Sequence, residues 1–134
     1  IHQALDGEGS RLFGGRWNSP GKPLIYTSAH LSLCILEQLV HLDVDLIPTN
    51  WVVLNLDIPD TLSGENLSGH PIKEGEARKI GDEWLKAGRT LYLKVPSFVV
   101  PQEYNILINP LHSDMNQVKI NNVSPFQFDN RLLK

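Results

Sequence analysis

Three residues of this 134-residue chain have side chains suited to chemistry: Arg16, Tyr26 and Glu37. Arg16 lies in the glycine-rich segment 14–21, where paired glycines permit positive φ angles and let the backbone approach a ligand closely. Its guanidinium is a planar fork of donors that matches the oxygens of a pyrophosphate. The Tyr26 ring is suited to stacking on a flat ligand ring. Glu37 lies in an apolar segment, where a buried carboxylate is costly without a partner or a purpose.

These three groups are the parts needed to break a glycosidic bond to a cationic leaving group. An arginine holds phosphates, an aromatic ring grips the base, and a carboxylate orients ribose hydroxyls and stabilises an oxocarbenium-like transition state. Each residue also has a structural interpretation that the residues alone leave open. Arg16 could form an ion pair with Asp6 or Glu8 in a surface loop. Tyr26 could pack in the core, and Glu37 could be a structural partner of Arg16.

Other catalytic templates are missing from the sequence. It contains neither a Gly-x-Gly-x-x-Gly dinucleotide motif nor a Gly-x-x-x-x-Gly-Lys-Ser/Thr phosphate loop. The five histidines lack HExxH spacing and one cysteine cannot build a zinc cage, so we expect no metal and no permanently bound cofactor. Cys34 and His41 lie two helical turns apart, roughly 10 Å, which is too far for a nucleophile–base hydrogen bond. Cys34 is therefore predicted to be a core residue.

The elements that must position these groups can be predicted from hydrophobic periodicity. Residues 23–28 form a predicted strand, and Ser28 is a plausible N-cap for a helix over residues 29–42. This helix is so apolar that we expect it to be buried on most sides, with Glu37 on the wall of a cleft. The other predictions are a loop over 1–23, strands over 51–58, 91–95 and 104–108, turns over 60–74, a helix over 74–86, and weaker strands over 117–120 and 126–128. This mixture favours a single α+β domain over residues 1–134.

Bulk composition limits the classes of function. The net charge is −3 and no basic face is evident, so binding of nucleic acid is not expected. The longest apolar run, residues 31–42, is too short to cross a bilayer. The single cysteine fits a reducing compartment, and we expect a cytoplasmic protein. The chain begins at Ile1 without an initiator Met, so we expect the natural N-terminus to be truncated here.

Several short motifs in a fixed order resemble the RES-domain family, which is named for its arginine, glutamate and serine. The resemblance extends over residues 5–114, most of the chain. The motifs are Gly-Gly-Arg-Trp-Asn-Ser-Pro-Gly at 14–21, Tyr-Thr-Ser at 26–28, Leu-Glu-Gln-Leu-Val-His at 36–41, Val-Pro-Ser at 95–97, Val-Val-Pro at 99–101 and Asn-Ile-Leu-Ile-Asn-Pro-Leu-His at 105–112.

The resemblance implies a fold similar to that of ADP-ribosyltransferases, with short mixed and antiparallel strands around a buried central helix. It also implies a toxin of a bacterial toxin–antitoxin pair that arrests growth by depleting NAD. Nicotinamide would be released by glycohydrolysis, or by phosphorolysis with inorganic phosphate as co-substrate. The alternative is transfer of ADP-ribose to a host protein. The implied catalytic residues are Arg16, Tyr26, Glu37 and Ser97, of which Arg16 and Tyr26 would also bind NAD.

The resemblance further implies a cognate antitoxin of the Xre helix-turn-helix type, which would cover the active site in an oligomeric toxin–antitoxin complex. DNA contacts would fall to that partner, and this chain would contact neither nucleic acid nor membrane. Family members usually carry a further segment with another arginine ahead of the region where this chain begins. Asn105 and Asn109 are predicted to be structural, and Lys94 has no predicted role.

Overall fold

A computed structural model describes residues 5–43, 45 and 49–133 of the chain. Helices and short strands follow one another along the chain without regular alternation, as the sequence predicts. The helices are α1 (Glu8–Phe13), α2 (Leu31–Leu39) and α3 (Glu74–Ala87), and short 3-10 helices span Met115–Gln117 and Asn130–Leu133. The strands are β1 (Ile25–Ser28), β2 (Trp51–Asp57), β3 (Gly64–Asn66), β4 (Tyr92–Pro96), β5 (Tyr104–Ile108) and β6 (Lys119–Phe126). No helix in the described ranges is long and apolar enough to cross a membrane.

The strands form two sheets. Four strands pair in the order β1-β5-β4-β3, with β5 antiparallel to both of its neighbours and β3 parallel to β4. The antiparallel pair β2–β6 forms the second sheet. In the register of β1 and β5, Tyr26 lies opposite Leu107 and Ser28 lies opposite Asn105. This pairing brings a distant part of the chain beside the strand that carries Tyr26.

The core lies on both faces of the four-stranded sheet, because successive side chains of a strand point to opposite faces. One face packs against α3 and buries Leu93, Val95 and Leu107 with Ala77 and Trp84. The other face buries a second cluster beside residues of β2: Ile25, Leu91 and Ile108, with Leu56 packed against them. The two clusters fix the sheet, and with it the positions of β1 and β5.

The segment predicted as an irregular loop over 1–23 contains the helix α1, so that prediction is wrong for residues 8–13; residues 1–4 lie outside the described residues. The helix is only six residues long and none of them is buried, so the sequence has no apolar stripe to reveal it. It is bounded by Gly7 and Gly14, both at φ +72°, a conformation that favours glycine. Both ends are thus set by glycines that a sequence reading assigns to a loop.

The helix α2 is shorter and more exposed than predicted. It begins at Leu31 rather than 29, and Ser28 ends β1 instead of capping the helix. Leu33 is its one fully buried residue. Leu31, the first residue of the helix, is 50% exposed, and Val40, which follows its last residue, is 57% exposed. The predicted burial on most sides is therefore wrong. Apolar composition alone did not reveal that this helix packs on β1 and lines an open cleft.

The remaining elements lie close to their predictions. The helix α3 and the strands β2, β4 and β5 are confirmed within one or two residues. The two weak strand predictions over 117–120 and 126–128 overlap only the two ends of one strand, β6 (Lys119–Phe126), which pairs with β2; residues 121–125 of this strand were not predicted. The short strand β3 (Gly64–Asn66) lies within the segment predicted as turns. Three residues are too few to produce a recognisable alternation.

Candidate active site

The glycine-rich segment, β1 and α2 surround a cleft of about 510 Å³. Arg16, Tyr26 and Glu37 all line it, so the structure brings together the three residues selected for their chemistry. Cavities of this size commonly hold small molecules. Ser97, the fourth predicted site residue, is 1% exposed and contacts Glu37. Three of the four predicted residues therefore line the cleft, and Ser97 is connected to it through its hydrogen bond to Glu37.

Asn18 holds the glycine-rich segment in shape from inside. Its side chain is fully buried, and its amide donates to the carbonyl oxygens of Ser10 at 3.0 Å and Lys22 at 2.8 Å. Its backbone carbonyl accepts the Gly15 N–H at 2.9 Å. A buried amide with these partners satisfied fixes a loop that has little regular structure of its own.

The helix α3 clamps the same segment from outside. The Asp82 carboxylate accepts the Ser19 N–H at 2.9 Å and the Ser19 hydroxyl at 2.5 Å. Arg78 donates to the Gly15 carbonyl from Nε and Nη2 at 3.2 and 3.0 Å. A Cβ at Gly81 would lie 1.7 Å from the Trp17 carbonyl oxygen, so only glycine allows this close approach of helix and loop.

Tyr26 has an occupied hydroxyl and an accessible ring. The hydroxyl donates to Oδ1 of Asn18 and accepts the Trp17 N–H at 3.1 Å. Desolvation of the hydroxyl raises the pKa of Tyr26 to about 12, so it remains protonated at neutral pH. The residue is nevertheless 41% exposed and lines the cleft. The hydroxyl is committed to holding the loop, and the ring is left to contact a ligand.

Arg16 is held by two weak contacts at the edge of the cleft. Its Nη1 lies 2.8 Å from Oε2 of Glu74, whose side chain is 67% exposed. Its guanidinium carbon lies 4.8 Å from the centre of the Phe98 ring, which in turn stacks on Trp17 at 6.0 Å. An exposed ion pair of this kind contributes little free energy. The guanidinium can therefore exchange its carboxylate partner for an anionic ligand at small cost.

The carboxylate that pairs with Arg16 is that of Glu74, and not one of the three partners that the sequence suggested. Glu8 instead pairs with Arg11, three residues further along α1, and this contact lowers the pKa of Glu8. Glu37 pairs with neither arginine, because its carboxylate is turned toward β4 and β5. The third carboxylate considered, Asp6, accepts the Glu8 N–H at 3.0 Å in a local turn.

Glu37 lines the cleft, and within the described residues only one of its two carboxylate oxygens is hydrogen-bonded. Oε2 accepts the Ser97 hydroxyl at 3.2 Å and the side-chain amide of Asn105. The Ser97 hydroxyl oxygen itself accepts the N–H groups of Val99 at 3.1 Å and Val100 at 3.0 Å. No residue of the described ranges donates a hydrogen bond to Oε1. The carboxylate is thus anchored through one oxygen and available through the other.

Sequence reasoning missed two parts of this arrangement. Asn105 was predicted to be structural, yet it contacts Glu37 directly, and Phe98 supports Arg16. A polar residue in the otherwise apolar strand β5 was the available signal for Asn105. Cys34, predicted to be in the core, is only partly buried and lines the cleft, and desolvation raises its pKa. Lys94 lies with its ammonium 5.0 Å from the Tyr104 ring centre, which gives it a structural partner.

Two further observations describe what surrounds the cleft. A second, mostly apolar cavity of about 450 Å³ lies between β1, α2 and the β2–β6 sheet. Among the described residues, no group of three or more histidine, cysteine, aspartate or glutamate side chains is placed to hold a metal ion.

A family model described as the RES domain matches residues 1–129, and the chain belongs to this family. It is 36% identical over 143 residues to "Toxin Res" of Photorhabdus laumondii, covering 100% of this chain and 91% of that protein. It is 34% identical to the "Prs ADP-ribosylating toxin" of Sphingobium sp., covering 97% of this chain and 87% of that protein. The family resemblance carried by the motifs is confirmed.

The fold is similar to that of a chain in the crystal structure of the M. tuberculosis MbcT–MbcA toxin–antitoxin complex. The TM-score is 0.72 at 18% sequence identity, covering 94% of this chain and 79% of that one. This likeness confirms the α+β fold expected from the family resemblance.

Proposed function

We propose that this protein is a toxin that consumes NAD in the cytoplasm by breaking its nicotinamide–ribose bond. The observation that carries the proposal is the placement of Arg16, Tyr26 and Glu37 on the walls of one cavity of about 510 Å³. A guanidinium suits the pyrophosphate, an aromatic ring suits the flat cationic base, and a carboxylate suits the ribose that lies between these two groups. The toxin names of relatives at 34–36% identity support the same assignment.

Arg16 and Tyr26 are proposed to bind NAD. Arg16 exchanges its exposed partner Glu74 for the pyrophosphate, while its contact with Phe98 keeps the guanidinium plane oriented. Tyr26 presents its ring to the nicotinamide, since its hydroxyl is already held by Asn18 and Trp17. Binding of the pyrophosphate by Arg16 and of the nicotinamide by Tyr26 places the ribose that joins these two groups between the two side chains, beside α2.

Glu37 is proposed to act on the ribose through Oε1. As the C1′–N1 bond breaks, nicotinamide leaves with the electron pair as a neutral molecule, and positive charge develops on the ribose ring. A carboxylate beside that ring stabilises the charge and orients the ribose hydroxyls. Ser97 is assigned to holding Glu37 rather than to contacting ribose or phosphate, because its hydroxyl is buried and engaged on both sides.

The group that adds to C1′ is water or inorganic phosphate in the leading proposal, which gives ADP-ribose or its phosphorylated form. A protein side chain is the second candidate. The specific observation in its favour is the 34% identical relative named as an ADP-ribosylating toxin. All three acceptors would use the same site up to the final attack.

Product analysis tests the proposal and separates the acceptors. The purified chain is incubated with NAD in three samples, one in phosphate-free buffer, one with phosphate and one with a bacterial lysate. Mass spectrometry then distinguishes free ADP-ribose, ADP-ribose phosphate and a labelled protein. Release of nicotinamide in either buffer sample, or in the lysate beyond the release by lysate alone, supports NAD cleavage, and no release above these backgrounds in all three samples contradicts it.

The proposed partner is an antitoxin of the Xre helix-turn-helix type that covers the cleft in an oligomeric complex. The structural neighbour comes from a toxin–antitoxin complex. Phe13 at the cleft is 82% exposed, an apolar surface that a partner would cover. The net charge of −3 leaves DNA contacts to the partner.

Steric inhibition is the simplest mechanism for such a partner, with a terminal segment inserted between Arg16, Tyr26 and Glu37. A C-terminal carboxylate could then take the place of a phosphate on Arg16. Co-expression with the neighbouring reading frame should rescue growth, and trimming the last residues of that partner should restore NAD loss. A trimmed partner that still inhibits fully would exclude the inserted-terminus mechanism.

A further inference from the structure

The two donors on Oε2 of Glu37 come from different parts of the sheet. Ser97 follows the last residue of β4, and Asn105 is the second residue of β5. The terminal torsion of a glutamate is broad, so a single hydrogen bond leaves the carboxylate free to turn. A second donor from the neighbouring strand removes this freedom. The pair fixes the plane of the carboxylate, with one oxygen on both donors and the other without a donor among the described residues.

The orientation of the Asn105 amide is itself fixed. Its Oδ1 accepts the Ser28 hydroxyl at 2.7 Å, so its Nδ2 must point to Glu37. The register of β1 and β5 places Ser28 directly opposite Asn105, which makes this contact a property of strand pairing. Two hydrogen bonds thus connect Ser28, through Asn105, to the carboxylate of Glu37.

We propose that Asn105, oriented by Ser28, is a positioning residue that holds Oε2 of Glu37 and thereby presents Oε1 to the ribose. The inference rests on the proposed function of Glu37 but goes further, because it assigns separate roles to the two oxygens. It predicts that changes at Asn105 lower kcat and leave the KM for NAD nearly unchanged. Asn105 acts through the carboxylate and not through pyrophosphate or nicotinamide.

Asn105→Asp gives the sharpest test, because the side chain keeps its shape but loses the donor. At pH 8 two carboxylates would face each other and repel, and we expect kcat to fall about 100-fold. At pH 5 the pair shares a proton, which restores a hydrogen bond, and the loss should shrink to about tenfold. KM for NAD should stay within about threefold of the parent.

The pH comparison needs a matched control, because other titratable groups line the cleft. These are Arg16, Tyr26, Cys34 and His41. Asn122→Asp adds the same charge on the exposed strand β6, outside the cleft, and leaves all four in place. The ratio of N105D to N122D activity thus isolates the local effect. A ratio that is constant from pH 5 to pH 8 overturns the proposal, whether it is high or low.

Two Ser28 variants keep the proposal falsifiable if N105D does not fold. Ser28→Ala removes the contact that orients the amide and should lower kcat about three- to tenfold with KM unchanged. Ser28→Thr keeps the hydroxyl and should restore most of the loss. Parental kcat in S28A would contradict the role given to Asn105, and so would a loss that appears only in KM.

A measurement without turnover separates this inference from the proposed function. In an NMR spectrum of the parent chain, the Asn105 side-chain amide should show one proton shifted by its bond to the carboxylate, and E37A should abolish the shift. An amide that is unchanged in E37A overturns the inference even if NAD is consumed. A parent chain that leaves NAD unchanged but shows the shift refutes the proposed function alone and retains the geometry.

Discussion

Glu37→Gln is the substitution whose consequences follow most directly from the geometry. The oxygen of a glutamine amide can accept the same two donors, Ser97 and Asn105, that Oε2 accepts in the parent. The fold should therefore be retained, with the free energy of unfolding changed by about 1 kcal/mol or less. The NH2 group then takes the place of Oε1, the oxygen without a hydrogen bond among the described residues. On the proposed function, a negative oxygen beside the developing oxocarbenium is thereby replaced by a weakly positive donor.

The size of the effect can be worked out from this exchange. Opposite unit charges about 4 Å apart attract by about 4 kcal/mol at an effective dielectric constant near 20. Each 1.36 kcal/mol of lost transition-state stabilisation is tenfold in rate, so kcat should fall about 10³-fold. This lies within the roughly 10²–10⁴-fold range expected when one electrostatic or acid–base participant is removed.

Nicotinamide release from NAD, followed by chromatography, measures this loss, and circular dichroism with thermal unfolding checks the fold. Glu83→Gln is a suitable control, because Glu83 is an exposed residue of α3 and does not line the cleft. It removes the same charge without touching Oε2 or its donors. Activity of E37Q within a few-fold of E83Q would refute the assignment of Glu37.

Four further predictions follow from the same contacts. Arg16→Lys should raise the KM for NAD in steady-state assays, because an ammonium cannot bind a pyrophosphate bidentately; an unchanged KM would contradict this role. Tyr26→Phe should lose less activity than Tyr26→Ala if the ring stacks, and equal losses would point to the hydroxyl. The pKa of Tyr26 is raised to about 12 in the folded chain, so the tyrosine ionises first in the unfolded state. The free energy of unfolding should therefore fall between pH 10 and pH 12, and it should fall less in Y26F. Unfolding curves measured at alkaline pH check this. Ser97→Ala should leave the N–H groups of Val99 and Val100 without their acceptor, which lowers both the melting temperature and kcat; parental values of both would contradict its placement.

Much of the fold could be predicted because its strongest elements have a clear period. The helix α3 carries Ala77 and Trp84 at helical spacing, and both are buried against the sheet. The exposure of α2 could not be predicted, since apolar side chains such as Leu31 and Val40 do not reveal whether anything covers them. The helix α1 depends on two glycines with positive φ, and these favour a loop in any sequence-based reading.

The site, too, could be predicted only in part. Arg16, Tyr26 and Glu37 lie within 22 positions of one another and could be selected by chemical type. The partners of Glu37 could not be found by the same reasoning, because Asn105 lies far along the chain and reaches α2 only through the pairing of β5 with β1. Register between distant strands is set by tertiary packing rather than by a local motif.

A crystal structure of the E37Q variant with NAD tests the central claim most directly, because a slow variant should retain the substrate. The account predicts the pyrophosphate within hydrogen-bond distance of Arg16, the nicotinamide ring against Tyr26, and C1′ of the ribose facing residue 37. NAD bound only in the second cavity beside Trp51, or no NAD bound at saturating concentration, would contradict it.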